Sequence, residues 1–140
     1  MITGCVIDAS VAVKWVITED GTEAALHLRQ QGISFHAPEL LVPETGNILW
    51  KKVKRRELSR DEAEIAAGTL SLSGITLHSM QALSLAALQI AVDIDHPVYD
   101  ATYLALAQSL ALPLITADRR LVTKLAEMRR GTLPVVNLLT

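Results

Sequence analysis

The sequence has little of several residue types, and each scarcity excludes a class of protein. Cys5 is the sole cysteine among 140 residues, so an internal disulfide and a zinc site built on a cysteine cluster are both excluded. Aromatic residues make up only 4% of the chain, which argues against a broad base-stacking surface. Because Cys5 lies inside an apolar stretch, we expect a buried structural thiol there.

Long apolar runs and an excess of charge are also missing. Half of the residues are hydrophobic, yet no uninterrupted apolar run approaches the roughly 18 residues that span a bilayer. The net charge is −2, so bulk electrostatics do not indicate a nucleic-acid binder. The first residues carry no basic segment, and we therefore expect no signal or transit peptide and a cytoplasmic location. The length suits a single domain over residues 1–140.

Short apolar segments alternate with segments of helical periodicity along the whole chain. The pattern predicts strands near residues 4–7, 33–37, 75–78, 114–116 and 135–138. It predicts helices near 10–16, 22–31, 38–56, 59–73, 80–92, 98–110 and 118–128, with a kink or fresh start at Pro43 and Ser10 as the first cap. This alternation predicts a three-layer α/β/α domain with a central parallel sheet of four or five strands.

Four carboxylates occupy positions from which they could meet. Asp8 follows the first predicted strand and Asp118 the fourth, and the carboxyl ends of parallel strands share one edge of a sheet. Asp100 lies in the first turn of a helix, and Glu44 lies among apolar helix residues. Each also has an ordinary interpretation: a helix cap for Asp8 and Asp118, a match to the helix dipole for Asp100, and a surface position for Glu44.

Four acids gathered in one place would repel one another, and a hard divalent cation is the natural compensation. Ligation by oxygen alone indicates magnesium or manganese rather than zinc. Such an ion suits phosphodiester hydrolysis, because it lowers the pKa of a bound water and neutralises charge on the phosphate.

The segments that carry these acids resemble the successive motifs of PIN-domain ribonucleases, most closely the VapC-type toxins of toxin–antitoxin pairs. The matching segments are Val6–Val11 (VIDASV), Ala37–Leu41 (APELL) leading to Glu44 and Asn47, Val98–Ala107 (VYDATYLALA) and Thr116–Leu121 (TADRRL). At Thr45 and Gly46 the chain departs from the apolar pair expected in the family.

The resemblance implies a magnesium- or manganese-dependent RNA endonuclease. Its acidic site would consist of Asp8, Glu44, Asp100 and Asp118, with Asp8, Asp100 and Asp118 as metal ligands. Ser10 and Thr116 would be supporting hydroxyls. The resemblance also implies a homodimer and a cognate antitoxin that inhibits the enzyme.

Basic residues near these motifs are candidates for binding RNA phosphates. Lys14, Arg119 and Arg120 lie close in sequence to the acids. Lys51, Lys54 and Arg55 share one helix face, although a solvated helix end explains them equally well. The histidines His27, His36, His78 and His96 show no ligand spacing and are expected to be structural or exposed. Trp15, Trp50 and Tyr103 are expected to pack in the core or at a dimer contact.

Two other functions remain open at this point. A non-catalytic PIN-like module that binds RNA or protein would have the same fold with a vestigial acidic site. An aspartyl-phosphate enzyme would also place an aspartate after the first strand, but Ser10 stands where such phosphatases have a second aspartate. That interpretation would rest on fold analogy alone.

Overall fold

The structure is a computed structural model that describes residues 2–128 and 133–140. Over these residues the chain forms five strands, which are β1 (Gly4–Ile7), β2 (Ser34–Pro38), β3 (Thr76–His78), β4 (Leu114–Thr116) and β5 (Val136–Leu138). They make one all-parallel sheet in the order β3-β2-β1-β4-β5. The predicted parallel sheet is confirmed, with the fifth strand at an edge.

Helices connect the strands and give the predicted three-layer α/β/α arrangement. They are α1 (Ala9–Ala12), followed by a 3-10 turn over Val13–Trp15, then α2 (Thr22–Arg29), α3 (Leu41–Lys54), α4 (Arg60–Ser71), α5 (Met80–Ile94), α6 (Val98–Leu110) and α7 (Arg119–Met128). Two consecutive helices, α3 and α4, separate β2 from β3, as the sequence pattern predicts.

The core lies around β1 and α6. All four residues of β1 are buried because β1 is the middle strand and is covered on both faces. Helix α6 contacts β1, β2 and β4 and packs along α5, and seven consecutive residues of α6 from Ala101 to Ala107 are buried. Cys5 is fully buried and burial raises the pKa of its thiol to about 12, which confirms a structural rather than a reactive cysteine.

Two predictions about helix starts are wrong. Pro38 ends β2, and α3 begins only at Leu41, so Pro43 falls in the first turn. A missing amide hydrogen costs little in a first turn, and α3 therefore continues past Pro43 without a break. The cap of α1 is Asp8 rather than Ser10, since the Asp8 side chain accepts a hydrogen bond from the Val11 amide.

The departure from the family pattern at Thr45 and Gly46 is accommodated within α3. Thr45 is 5% exposed, and its hydroxyl donates to the carbonyls of Leu41 and Val42 in the preceding turn. A side chain added at Gly46 would meet open space. The helix that carries Glu44 therefore packs without an unsatisfied hydroxyl.

No helix among residues 2–128 and 133–140 is both long and apolar enough to cross a bilayer.

Replacing Ser59 by alanine should lower the free energy of unfolding by about 1 kcal/mol. Ser59 caps α4, accepting from the Glu62 amide at 3.1 Å, while the Glu62 carboxylate accepts from the Ser59 amide at 2.9 Å. Denaturant unfolding followed by circular dichroism measures the change. Ser84→Ala is the matched control, because the exposed Ser84 hydroxyl only donates to a carbonyl of its own helix. An equal loss in both variants would contradict the capping role of Ser59.

Candidate active site

Asp8 is held at the carboxyl end of the central strand by two hydroxyl groups. The Ser10 hydroxyl donates to its Oδ1 and the Thr116 hydroxyl to its Oδ2, each at 2.5 Å. The pairing of Ile7 with Ile115 explains the second contact, since the next residues of the two parallel strands are Asp8 and Thr116. Asp8 is only 9% exposed, so its carboxylate is buried and fully hydrogen-bonded.

The same two hydroxyls fix the loop that carries Asp118. The Ser10 oxygen accepts from the Ala117 amide and the Thr116 oxygen accepts from the Asp118 amide, both at 3.0 Å. Asp118 then caps α7, because its Oδ1 accepts from the Arg120 amide at 2.9 Å. The supporting hydroxyls predicted from the sequence thus connect Asp8 to the β4–α7 loop.

Glu44 receives its hydrogen bond from a residue that the sequence interpretation assigned only to packing. The phenol of Tyr103 donates to Glu44 Oε1 at 2.6 Å, and Tyr103 is 1% exposed. Burial raises the pKa of the Glu44 carboxyl and the charge of Asp100 raises it further, against the hydrogen bond from Tyr103. Tyr103 follows Asp100 by three residues in α6, a spacing that places both on one helix face.

Asp100 also has a partner that the sequence interpretation missed. His96 Nε2 lies 2.6 Å from Asp100 Oδ2, at a separation of four residues. His96 precedes Pro97, the cap of α6, so it lies outside the regular helix. Sequence spacing alone gave no sign that its ring turns back onto Asp100.

All four carboxylates line one cavity of about 420 Å³ at the carboxyl edge of the sheet. The lining residues are Asp8, Ala9, Ser10, Leu40, Pro43, Glu44, Asn47, Ile48, Tyr99, Asp100, Tyr103 and Asp118. This lining, taken from the described part of the chain, contains four acids and no lysine, arginine or histidine. Burial raises the pKa of Asp8 to about 6, and the charge of Asp100 acts in the same direction.

The donor set fits a hard divalent cation in its chemistry, because it is anionic and offers oxygen atoms only. A cation would also offset the burial and repulsion that raise the pKa of Asp8 and Glu44. Within residues 2–128 and 133–140, however, no three acidic, histidine or cysteine side chains are already arranged to hold one ion. Each carboxylate instead hydrogen-bonds its own protein donor.

The basic residues predicted to bind RNA lie outside the cavity lining. Lys14 is largely buried and pairs with Glu19 at 2.6 Å. Arg119 and Arg120 are exposed and directly follow Asp118. The other three, Lys51, Lys54 and Arg55, are exposed at the end of α3. Their roles stay predictions.

Comparison with known proteins gives concordant matches. Residues 5–127 match the model of the PIN domain family. A curated relative, ribonuclease VapC3 of Pyrobaculum aerophilum, is 32% identical over 85% of this chain and 92% of its own length.

Solved structures support the same fold. The crystal structure of PAE2754 from P. aerophilum superposes with a TM-score of 0.69 at 23% identity, covering 96% of this chain and 83% of the other. A Mycobacterium tuberculosis structure, described as VapBC-5 of the VapBC family of toxin–antitoxin systems, has a TM-score of 0.52 at 17% identity, covering 99% and 98%.

Removing the Tyr103 hydroxyl should destabilise the protein by about 1–2 kcal/mol, because the half-buried Glu44 carboxylate loses its donor. Denaturant unfolding of Tyr103→Phe at neutral pH measures this. Tyr99→Phe is the matched control, since Tyr99 lines the same cavity but is 61% exposed. Equal stability of the two variants would show that the bond to Glu44 contributes little.

Asp8 should make the folded protein less stable as pH rises from about 4 to about 6. The ordinary pKa of 3.8 is raised to about 6 in the folded state, so in this range the folded chain binds a proton that the unfolded chain has released. The free energy of unfolding therefore falls across the window and the contribution of Asp8 is constant above it. In Asp8→Asn the free energy of unfolding should fall less over this pH range, because the group that binds the extra proton is gone.

Urea unfolding of the unaltered protein and of Asp8→Asn, at a series of pH values in buffer with a chelator, tests this predicted pH dependence of stability. Asp93→Asn, at an exposed position in α5, should keep the fall that the unaltered protein shows. The same pH dependence in Asp8→Asn would refute the role assigned to Asp8.

Proposed function

Because the chain belongs to the PIN-domain family and, within it, to the VapC ribonucleases, we propose that it is a metal-dependent endoribonuclease acting as the toxin of a toxin–antitoxin pair. The observation that carries the proposal is the cavity lined by Asp8, Glu44, Asp100 and Asp118. A chemistry that needs a divalent cation explains why a protein would gather four carboxylates in one cavity, where the charge of Asp100 raises the pKa of Asp8 and of Glu44.

In this proposal Asp8, Asp100 and Asp118 would hold Mg²⁺ or Mn²⁺. The ion, when bound, supplies a water of lowered pKa and neutralises charge on the phosphate. Ser10 and Thr116 orient Asp8 through their hydroxyls.

Glu44 is the candidate for moving a proton. Burial raises the pKa of its carboxyl, and a carboxyl with a raised pKa exchanges a proton more readily near neutral pH than an ordinary glutamate does. Tyr103 holds Glu44 in place on the cavity wall. The two residues would together keep the proton acceptor at a fixed position.

We place the RNA strand along α3. Lys51 follows Glu44 by seven residues, so it extends the helix face that Glu44 and Ile48 present to the cavity. Lys54 and Arg55 lie at the exposed end of the same helix. These basic side chains would contact phosphates on one side of the cleaved bond. Arg119 and Arg120, beside Asp118, would contact phosphates on the other side. Lys14 would join them only if its pair with Glu19 opens.

The proposed partners are an antitoxin protein and a second copy of the chain, acting in the cytoplasm. The VapBC-5 structure with the same fold is described as a member of a toxin–antitoxin family. Leu85, Leu88 and Val92 are 67%, 55% and 72% exposed along α5, and exposed apolar side chains on one helix favour burial against a protein partner. We also propose that residues 1–140 form a single domain, since one sheet joins both ends of the chain.

Purified protein should cleave RNA in the presence of Mg²⁺ or Mn²⁺, and excess EDTA should abolish cleavage until the ion is restored. Asp8→Ala and Asp100→Ala should each lower the cleavage rate at least 100-fold, an expected effect in line with loss of a metal ligand or its support. Gel analysis of a labelled RNA, with the ends of the products sequenced, provides the measurement.

Asp93→Ala controls for the loss of an acidic residue, because Asp93 is exposed in α5 and lies outside the cavity lining. It should cleave at the rate of the unaltered protein. Full cleavage by both active-site variants in chelating buffer would refute the proposed function.

A further inference from the structure

His96 lies in the turn between α5 and α6, between a lysine and a carboxylate. Its Nε2 is 2.6 Å from Asp100 Oδ2, and Lys124 Nζ is 3.2 Å from its Nδ1. Lys124 comes from α7, a helix that is distant in sequence from this turn. The His96 side chain is 18% exposed, so solvent reaches only a small part of the ring.

The lysine and the carboxylate together determine which nitrogen of His96 carries the proton. An ammonium group only donates hydrogen bonds, so Nδ1 must be the acceptor and bear no hydrogen. A neutral imidazole with a bare Nδ1 carries its proton on Nε2. The Nε2–H group therefore donates to Asp100 Oδ2, and hydrogen bonds run in one direction from Lys124 through His96 to Asp100.

Lys124 is itself anchored at the turn. Its ammonium also donates to the Asp95 carbonyl, and Asp95 ends α5 in a left-handed conformation with φ of 52°. Helix α7 begins directly after Asp118, which caps it. Lys124 thus connects the helix that Asp118 caps to the turn that precedes Asp100.

We propose that His96 and Lys124 are positioning residues for Asp100, acting as a clamp that sets its orientation and its distance from Asp118. His96 contacts Oδ2 of Asp100, and Asp100 lines the cavity. This inference rests on the proposed function, in which Asp100 and Asp118 hold the metal. Groups that hydrogen-bond a metal ligand orient it, and their loss commonly costs 10–100-fold in metal affinity or activity.

The first test is independent of nuclease activity. Nitrogen-15 NMR of the histidine rings at neutral pH should find His96 with a protonated Nε2 and a bare Nδ1. Lys124→Met, which keeps the aliphatic stem but removes the donor, should move the nitrogen-15 shift of His96 Nδ1, because Nδ1 loses its hydrogen bond. A proton on Nδ1 in the unaltered protein, or an unchanged Nδ1 shift in Lys124→Met, would overturn the proposal.

The second test measures Mn²⁺ binding by calorimetry. His96→Ala should bind Mn²⁺ about 10–100-fold more weakly. His96→Gln should stay within a few-fold of the unaltered protein, because its amide can donate to Asp100 and accept from Lys124. His27→Ala, at an exposed position on α2, is the matched control and should bind normally. Circular dichroism verifies that each variant is folded.

Kinetics separate positioning from a structural effect. His96→Ala should lower kcat with KM for RNA nearly unchanged, and His96→Gln should restore most of kcat. Unchanged Mn²⁺ affinity and kcat in His96→Ala would overturn the clamp. If the unaltered protein binds Mn²⁺ but cleaves no RNA, while His96→Ala binds Mn²⁺ more weakly, the proposed function fails and the clamp is supported.

Discussion

A buried carboxylate at the end of the central strand is the constraint on which the rest of the site depends. Taking Asp8 out of water is unfavourable, and the fold compensates with two hydroxyls and one backbone amide. Those hydroxyls accept in turn from the amides of Ala117 and Asp118. The position of the β4–α7 loop therefore follows from the need to satisfy Asp8.

The same principle extends to the other three acids. Glu44 has Tyr103, Asp100 has His96, and Asp118 has the first amides of α7. These separate donors offset part of the cost of placing four carboxyl groups in one cavity. Because each side chain is directed towards its own donor, no three of the described acids are already arranged to hold one ion.

Several features could be predicted because they depend on local chemistry. The strand and helix alternation indicated the sheet, and the Ser59 capping box marked the start of α4. The start of α3 could not be found in this way, because Pro38 and Pro43 both suit helix starts and only the pairing of β2 with β3 extends the strand to Pro38. Similarly, Asp8 and Ser10 are both good N-cap residues, and the path of the backbone places Asp8 at the N-cap of α1.

The sequence by itself determined the fold class, the order of the four acids, the placement of Asp8 and Asp118 after strands and that of Asp100 at a helix start, because periodicity and capping act over a few residues. Only the tertiary structure decided which side chains support those acids. Tyr103 reaches Glu44 across 59 residues, Thr116 reaches Asp8 across 108, and Lys124 reaches His96 across 28. Such contacts follow from strand order and helix packing, which join distant segments and leave no local signal in the sequence.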